Sequence, residues 1–166
     1  VKGINHHSQN ITKHKMAKIE NKDLNVEMQI RAIELLNGSL QLPAAPNTAV
    51  TTFNFNISIE SKADAPNKLV FVIVHVEIKN DDHSLVLGAL SVSCIFEIVN
   101  FDEVIKIEGN GKLDIPQRLI ETLNIISIST TRGVMFSTFK GTFLHGAVLP
   151  IIDPKQFQIG SQKVEK

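Results

Sequence analysis

The sequence has no tryptophan, no tyrosine and a single cysteine, and its charges cancel, with Lys+Arg and Asp+Glu both at 17. Each scarcity excludes something. Cys94 alone cannot form an internal disulfide or a cysteine-based zinc site, and in an apolar alternating run it reads as a small core residue. Zero net charge with scattered Lys and Arg offers no basic field to nucleic acid or anionic lipid. No aromatic platform alternates with those cations to stack bases. No apolar run approaches the ~20 residues that span a bilayer, and the densest, residues 69–76, reads as a strand. The N-terminus carries Lys and His but no apolar signal core. The expected location is therefore cytoplasmic, without membrane insertion.

Catalytic signatures are equally scarce. There is no Gly-x-Ser-x-Gly elbow, no phosphate loop and no zinc-ligand spacing. Asp81-Asp82-His83 joins acid and imidazole, but in a hairpin turn open to solvent. His75 and His145 are isolated in sequence. His6, His7 and His14 lack a rigid scaffold for a metal. No enzyme activity, metal or cofactor is expected.

What is present is a globular composition, 43% hydrophobic and 20% charged over 166 residues, which suits one domain. Residues 1–25 are polar and aperiodic and read as a flexible N-terminal extension, within which Met16 is a candidate native start. The domain is expected over residues 26–157, with a flexible tail at 158–166.

From Val26 the pattern is β. Val26, Met28 and Ile30 alternate with polar residues, and the apolar parity then switches to Ile33 and Leu35. A parity change inside a strand predicts a bulge, because an unbroken strand would turn its core face to water. Asn37-Gly38 predicts a bend or second bulge, and Pro43 and Pro46 force a loop. Phe53, Phe55, Ile57 and Ile59 form a half-buried antiparallel strand, followed by a turn over residues 63–68. Val70, Val72, Val74, Val76 and Ile78 make the next apolar row. Leu69, Phe71 and Ile73 make its opposite face apolar as well, which suggests cover by another subunit. Val86, Leu90, Val92, Cys94, Phe96 and Ile98 give a fourth strand. After the break at Gly109-Asn110-Gly111, Asp114-Ile115-Pro116 predicts a capped helix start. A helix over about residues 116–140 follows, open to interruption at 124–129 where β-branched residues crowd. Gly141 would cap its end, with Arg132 and Lys140 near the negative end of the dipole. The fold class is α+β: a four-stranded antiparallel sheet with a long helix packed on one face.

Several short motifs occur in a telling order. Met28-Gln29-Ile30-Arg31-Ala32-Ile33 leads through Asn37-Gly38 to Leu42-Pro43. Cys94-Ile95-Phe96-Glu97-Ile98 precedes Ile107-Glu108-Gly109. Thr131-Arg132-Gly133-Val134-Met135-Phe136 precedes Lys140-Gly141-Thr142-Phe143 and Leu149-Pro150-Ile151-Ile152-Asp153-Pro154. Over about 130 residues this order resembles the SecB-type protein-export chaperone family. The resemblance implies an ATP-independent holdase that takes unfolded or pre-secretory polypeptide into an apolar groove. It also implies a homotetramer built as a dimer of dimers, and the export ATPase SecA as a partner. The groove residues would be Leu40, Leu42 and Phe53 around the crossover loop, facing Phe139, Phe143, Leu144, Val148, Leu149, Ile151 and Ile152 in the tail. Each of these side chains equally suits the subunit's own core.

The chain departs from the family's pattern. It is neutral where the export chaperones are acidic, and the residues after Pro154 are polar and carry no second helix. A SecB-like relative is therefore expected rather than the export chaperone itself. Two other functions fit the composition: a dedicated chaperone or binding module for one partner such as an antitoxin, and an apolar small-ligand carrier. A carrier needs an enclosed pocket, whereas a holdase needs an open groove.

Overall fold

The computed structural model describes residues 25–42, 52–107 and 113–153. The N-terminal extension up to residue 24, the loop with Pro43 and Pro46, the break at Gly109-Asn110-Gly111 and the tail at 158–166 lie outside them. Four strands, β1 (Met28–Leu40), β2 (Asn54–Asp64), β3 (Leu69–Lys79) and β4 (Val86–Ile98), form one antiparallel sheet in the order β1-β4-β3-β2. Consecutive strands β1 and β2 therefore occupy opposite edges. A short helix α1 (Phe101–Val104) and a two-residue pair, β5 (Lys106–Ile107) with β6 (Leu113–Asp114), precede the long helix α2 (Gln117–Thr138).

The local rules of the sequence account for most of these elements. β1 slips register between Ile30 and Ala32 and again between Leu35 and Asn37, at the parity switch and at the Asn-Gly step. A third slip, between Ile78 and Lys79 of β3, lets β4 place Leu87 in the core. Val86, expected inward, is only half-buried. β2 runs on to Asp64 because Ala63 and Asp64 still pair with Val70 and Leu69. The turn that follows is closed by Lys68 N–H donating to Ala65 O, with Lys68 at φ 58°.

α2 is continuous through the β-branched stretch. Leu119, Ile120, Leu123, Ile128 and Met135 line its buried face, and burial against the sheet outweighs the few tenths of a kcal/mol that each β-branched residue costs a helix. Its ends differ from expectation. Pro116 occupies the N-cap without a side-chain cap, because Asp114 is held in β6. Phe139 is the C-cap, its N–H donating to Met135 O, and Gly141 with φ +79° lies in the turn beyond. Neither Arg132 nor Lys140 falls in the last helical turn.

The core is one sandwich between α2 and the inner face of the sheet. Val70, Val72, Val74, Val76 and Ile78 of β3 interleave with Leu90, Val92, Cys94, Phe96 and Ile98 of β4, all essentially inaccessible. Because this layer is closed and dry, Leu90→Ala should cost about 2–5 kcal/mol in urea unfolding, whereas Ser129→Ala on the exposed face of α2 should stay within about 0.5 kcal/mol.

Candidate functional site

The residues expected to form an apolar groove separate into three groups. Phe139, Leu144 and Leu149 are core residues, with Leu149 1% exposed. Phe53, Phe143 and Ile152 are half-buried and packed against that core. Leu40, Leu42, Val148 and Ile151 face solvent, Leu42 at 73% and Ile151 at 96%. The tail and the start of β2 do come together: a Cβ on Gly146 would lie 4.0 Å from the Phe53 ring. Leu144 reaches the sheet where β4 carries Gly88. A Cβ there would sit 2.5 Å from Leu144 Cδ1 and 3.1 Å from the Ser39 carbonyl oxygen. Glycine at this step lets the tail seat directly on the β1–β4 ladder.

The tail past residue 143 is held by few bonds. Ala147 N–H donates to Leu144 O. The Arg132 guanidinium of α2 then donates from Nε to Leu149 O at 2.7 Å and from a terminal nitrogen to Pro150 O at 2.9 Å. Phe136 stacks obliquely on His145, ring centroids 5.1 Å apart. Sequence reasoning assigned Arg132 to the helix dipole and did not anticipate this role. A basic residue one helical turn before Phe136, followed by an apolar tail, was the signal available.

A larger apolar surface lies on β1. By register, Ile30, Ile33, Leu35 and Leu40 oppose Phe96, Cys94, Val92 and Gly88 and so share the inner face of the sheet. Their β4 partners are buried, yet these four remain between 43% and 50% exposed. α2 packs over β3 and β4. It approaches β1 at its C-terminal end, where a Cβ on Gly38 would lie 3.9 Å from the Thr138 methyl. An open apolar trough thus runs along β1 beside the helix. Ile125 and Phe136 of α2 are also exposed. Sequence patterning identified Ile30, Ile33 and Leu35 as inward-facing without revealing that their strand forms an uncovered edge. The outer row expected to be covered, Leu69, Phe71 and Ile73, is half-buried beside Ile95.

The polar groups are structural in their contacts. Asp82 accepts hydrogen bonds from the Ser84 hydroxyl and amide, which hold its carboxyl below the usual range. The Asp81-Asp82-His83 segment is exposed, and its acid stabilises a turn with His83 at φ 60°. On the outer sheet face His75 Nδ1 meets Ser91 Oγ at 2.8 Å, and Nε2 lies 3.7 Å from Glu60, too far for a hydrogen bond. Glu97 pairs with Arg31 and Glu77 with Lys79, so carboxylates and cations alternate there. Among the described residues, no group of His, Cys, Asp and Glu is arranged to hold a metal, and no helix is long and apolar enough to cross a membrane. Burial pushes the Cys94 thiol up, with Ser127 and Thr130 acting in the opposite direction. The Ser127 hydroxyl falls short of hydrogen-bond geometry and is buried without a partner.

No family model matches the chain, and no characterised protein matches it in sequence. Solved structures do match. The Rv1957 SecB-like chaperone of Mycobacterium tuberculosis, in complex with a ChAD peptide from the Rv1956 HigA1 antitoxin, superposes with a TM-score of 0.53 at 16% identity, covering 75% of this chain and 89% of that one. A Streptococcus agalactiae protein of unknown function aligns at a TM-score of 0.33 and 11% identity, covering 70% and 90%. The first likeness makes the fold SecB-like.

Two outcomes follow from this geometry. Gly88→Val should destabilise the protein by about 1–3 kcal/mol through overpacking against Leu144 and the Ser39 carbonyl, read as a lower urea midpoint. Cys94 should be inert to a thiol reagent in the native protein and react on unfolding. Its raised folded pKa means that the protonated thiol favours the fold below the ordinary thiol range, a contribution lost as pH rises through the folded pKa. Rapid labelling of the native protein would contradict the buried placement.

Proposed function

We propose that this protein is an ATP-independent holdase that binds unfolded polypeptide along apolar surfaces on the helix side of its sheet. The observation that carries this reading is the open trough on β1. There Ile30, Ile33, Leu35 and Leu40 stay near half-exposed beside buried partners, with Val148 and Ile151 exposed on the tail. An aqueous protein does not leave such a contiguous row bare without a use for it. Apolar burial is non-directional, so side chains of many sequences fit, while the free edge of β1 offers main-chain groups to an extended segment. Binding the unfolded state holds a client from folding by mass action and needs no nucleotide. The SecB-like neighbour's antitoxin peptide supports polypeptide as the ligand class. No catalytic role enters this reading.

The same surfaces suit assembly. Among the described residues β1 has one unpaired edge, and α2 presents Ser129, Gly133 and Ser137 on its exposed face with Ile125 and Phe136 beside them. Small residues at four-residue spacing let a second helix approach closely. A homotetramer built as a dimer of dimers would use both features and still leave tail surfaces for clients. Pre-secretory chains and SecA are the partners of an export role. Export chaperones of the family that the sequence resembles dock SecA on a carboxylate-rich sheet face, so the pairing of Glu77 and Glu97 with cations here weighs against that role. It favours the second reading, a dedicated chaperone for one partner such as an antitoxin, in the cytoplasm.

The test is suppression of aggregation of a chemically unfolded model client, without nucleotide and at stoichiometric ratios, followed by light scattering. Suppression with a stable client complex is expected, and its absence would end the general-holdase reading. The Val148→Asp, Ile151→Asp double variant should bind that client at least about tenfold more weakly, the loss expected for one buried apolar side chain. Its urea midpoint should be unchanged. Equal affinity would remove the tail from the site.

A further inference from the structure

The main chain at the end of the tail is held by one helix side chain together with apolar burial. From Val148 to Ile152, no main-chain hydrogen bond ties the segment to the rest of the described residues. The backbone there is anchored by the buried Leu149 side chain and by the two hydrogen bonds from Arg132 to the carbonyls of Leu149 and Pro150. Arg132 is half-buried on α2, and no carboxylate among the described residues forms an ion pair with it. Its charge is therefore directed at two consecutive main-chain oxygens. Charge-assisted bonds of this kind are the strong ones, and the planar guanidinium fixes direction as well as distance.

That geometry determines which apolar side chains are presented. With the Leu149 and Pro150 carbonyls turned to α2, Leu149 drops into the core, and Val148 and Ile151 on either side stand out at 57% and 96% exposure. The neighbouring helix position is Gly133, and a Cβ built on it meets nothing within 4 Å. The surface beside the clamp is thus open.

We propose that Arg132 is a positioning residue for the polypeptide-binding rim: it clamps the tail in the register that displays Val148 and Ile151, without itself touching the client. This rests on the holdase reading above. Without the clamp, the same residues would be free to fold back or sample many conformations. A client would then have to order them at its own entropic cost.

The experiment compares the parent with Arg132→Met, which keeps an apolar stem but removes every donor, and Arg132→Lys, which keeps the charge and loses the planar fork. Three quantities are read: amide hydrogen exchange of the tail at Ala147, whose N–H donates to Leu144 O, affinity for an unfolded model client, and the urea midpoint. The Met variant should speed tail exchange about tenfold, as loss of a charge-assisted bond implies, and weaken client binding by a similar factor. Exchange of β3 and β4 amides should hold at the parental rate. The Lys variant should fall between, a partial rescue that a purely electrostatic effect would not give. Unchanged tail exchange in the Met variant would overturn the clamp. A loosened tail with parental client affinity would overturn its role at the rim. Should the Met variant not fold, the Lys variant alone decides, by whether tail exchange and affinity move together. A parent that holds no client would end the holdase reading, and the rim role with it, while the exchange data would still report on the clamp.

Discussion

One helix cannot cover four strands, and most of what is distinctive about this molecule follows from that mismatch. A helix with its side chains is about 10 Å across, and neighbouring strands are spaced by roughly 4.8 Å. α2 therefore covers the two central strands, β3 and β4, and leaves the inner faces of both edge strands to other means. At one end of the sheet the tail supplies cover: Leu144 seats by Gly88 and the Ser39 carbonyl on the β1–β4 ladder, and Gly146 lies beside Phe53 at the start of β2. Along β1 from Ile30 to Leu35 nothing among the described residues closes the layer, and this row of apolar side chains remains accessible. The asymmetry between the covered end of the sheet and the bare length of β1 is the physical origin of the exposed apolar row.

The tail is a compromise between core and surface. Its buried residues seat on a sheet made thin by Gly88, so the fold gains apolar burial without another helix. Its remaining residues are ordered by side-chain bonds instead of a ladder or a helical turn. Segments held in this way sit at the low end of local stability. The core beneath has the opposite character, with five β3 and five β4 side chains closed to water. Polar residues intrude on the helix–sheet layer at Asn124, Ser127 and Thr131. Thr131 bonds back to the Ser127 carbonyl, while the Asn124 Oδ1 and Ser127 Oγ atoms have no partner. The apolar side of the layer on the helix is supplied by Leu119, Ile120, Leu123, Ile128 and Met135.

The outer sheet face differs in kind. It is polar at one end, where Ser58, His75 and Ser91 lie abreast on three strands, and apolar at the other, where Phe71 lies beside Ile95. Two of its carboxylates, Glu77 and Glu97, pair with cations at the surface, where such pairs contribute little. The open apolar row of β1 lies on the helix side.

Local chemistry was enough to read the strands, the two bulges of β1 and the helix from sequence, since alternation, Asn-Gly and Pro act within a few residues. The order of short motifs also carried the SecB-like fold that structural comparison supports. The candidate site was only partly legible. Phe139, Leu144 and Leu149 have the same composition as Val148 and Ile151, and nothing in a one-dimensional pattern says which enter a core. The sequence determined which residues are apolar and which elements they form, because those depend on near neighbours. Only the tertiary structure decided that β1 is an edge, that one helix leaves it bare, and that Arg132 reaches across 17 positions to hold the tail. Each of these depends on contacts between segments far apart in the chain, which local periodicity does not encode.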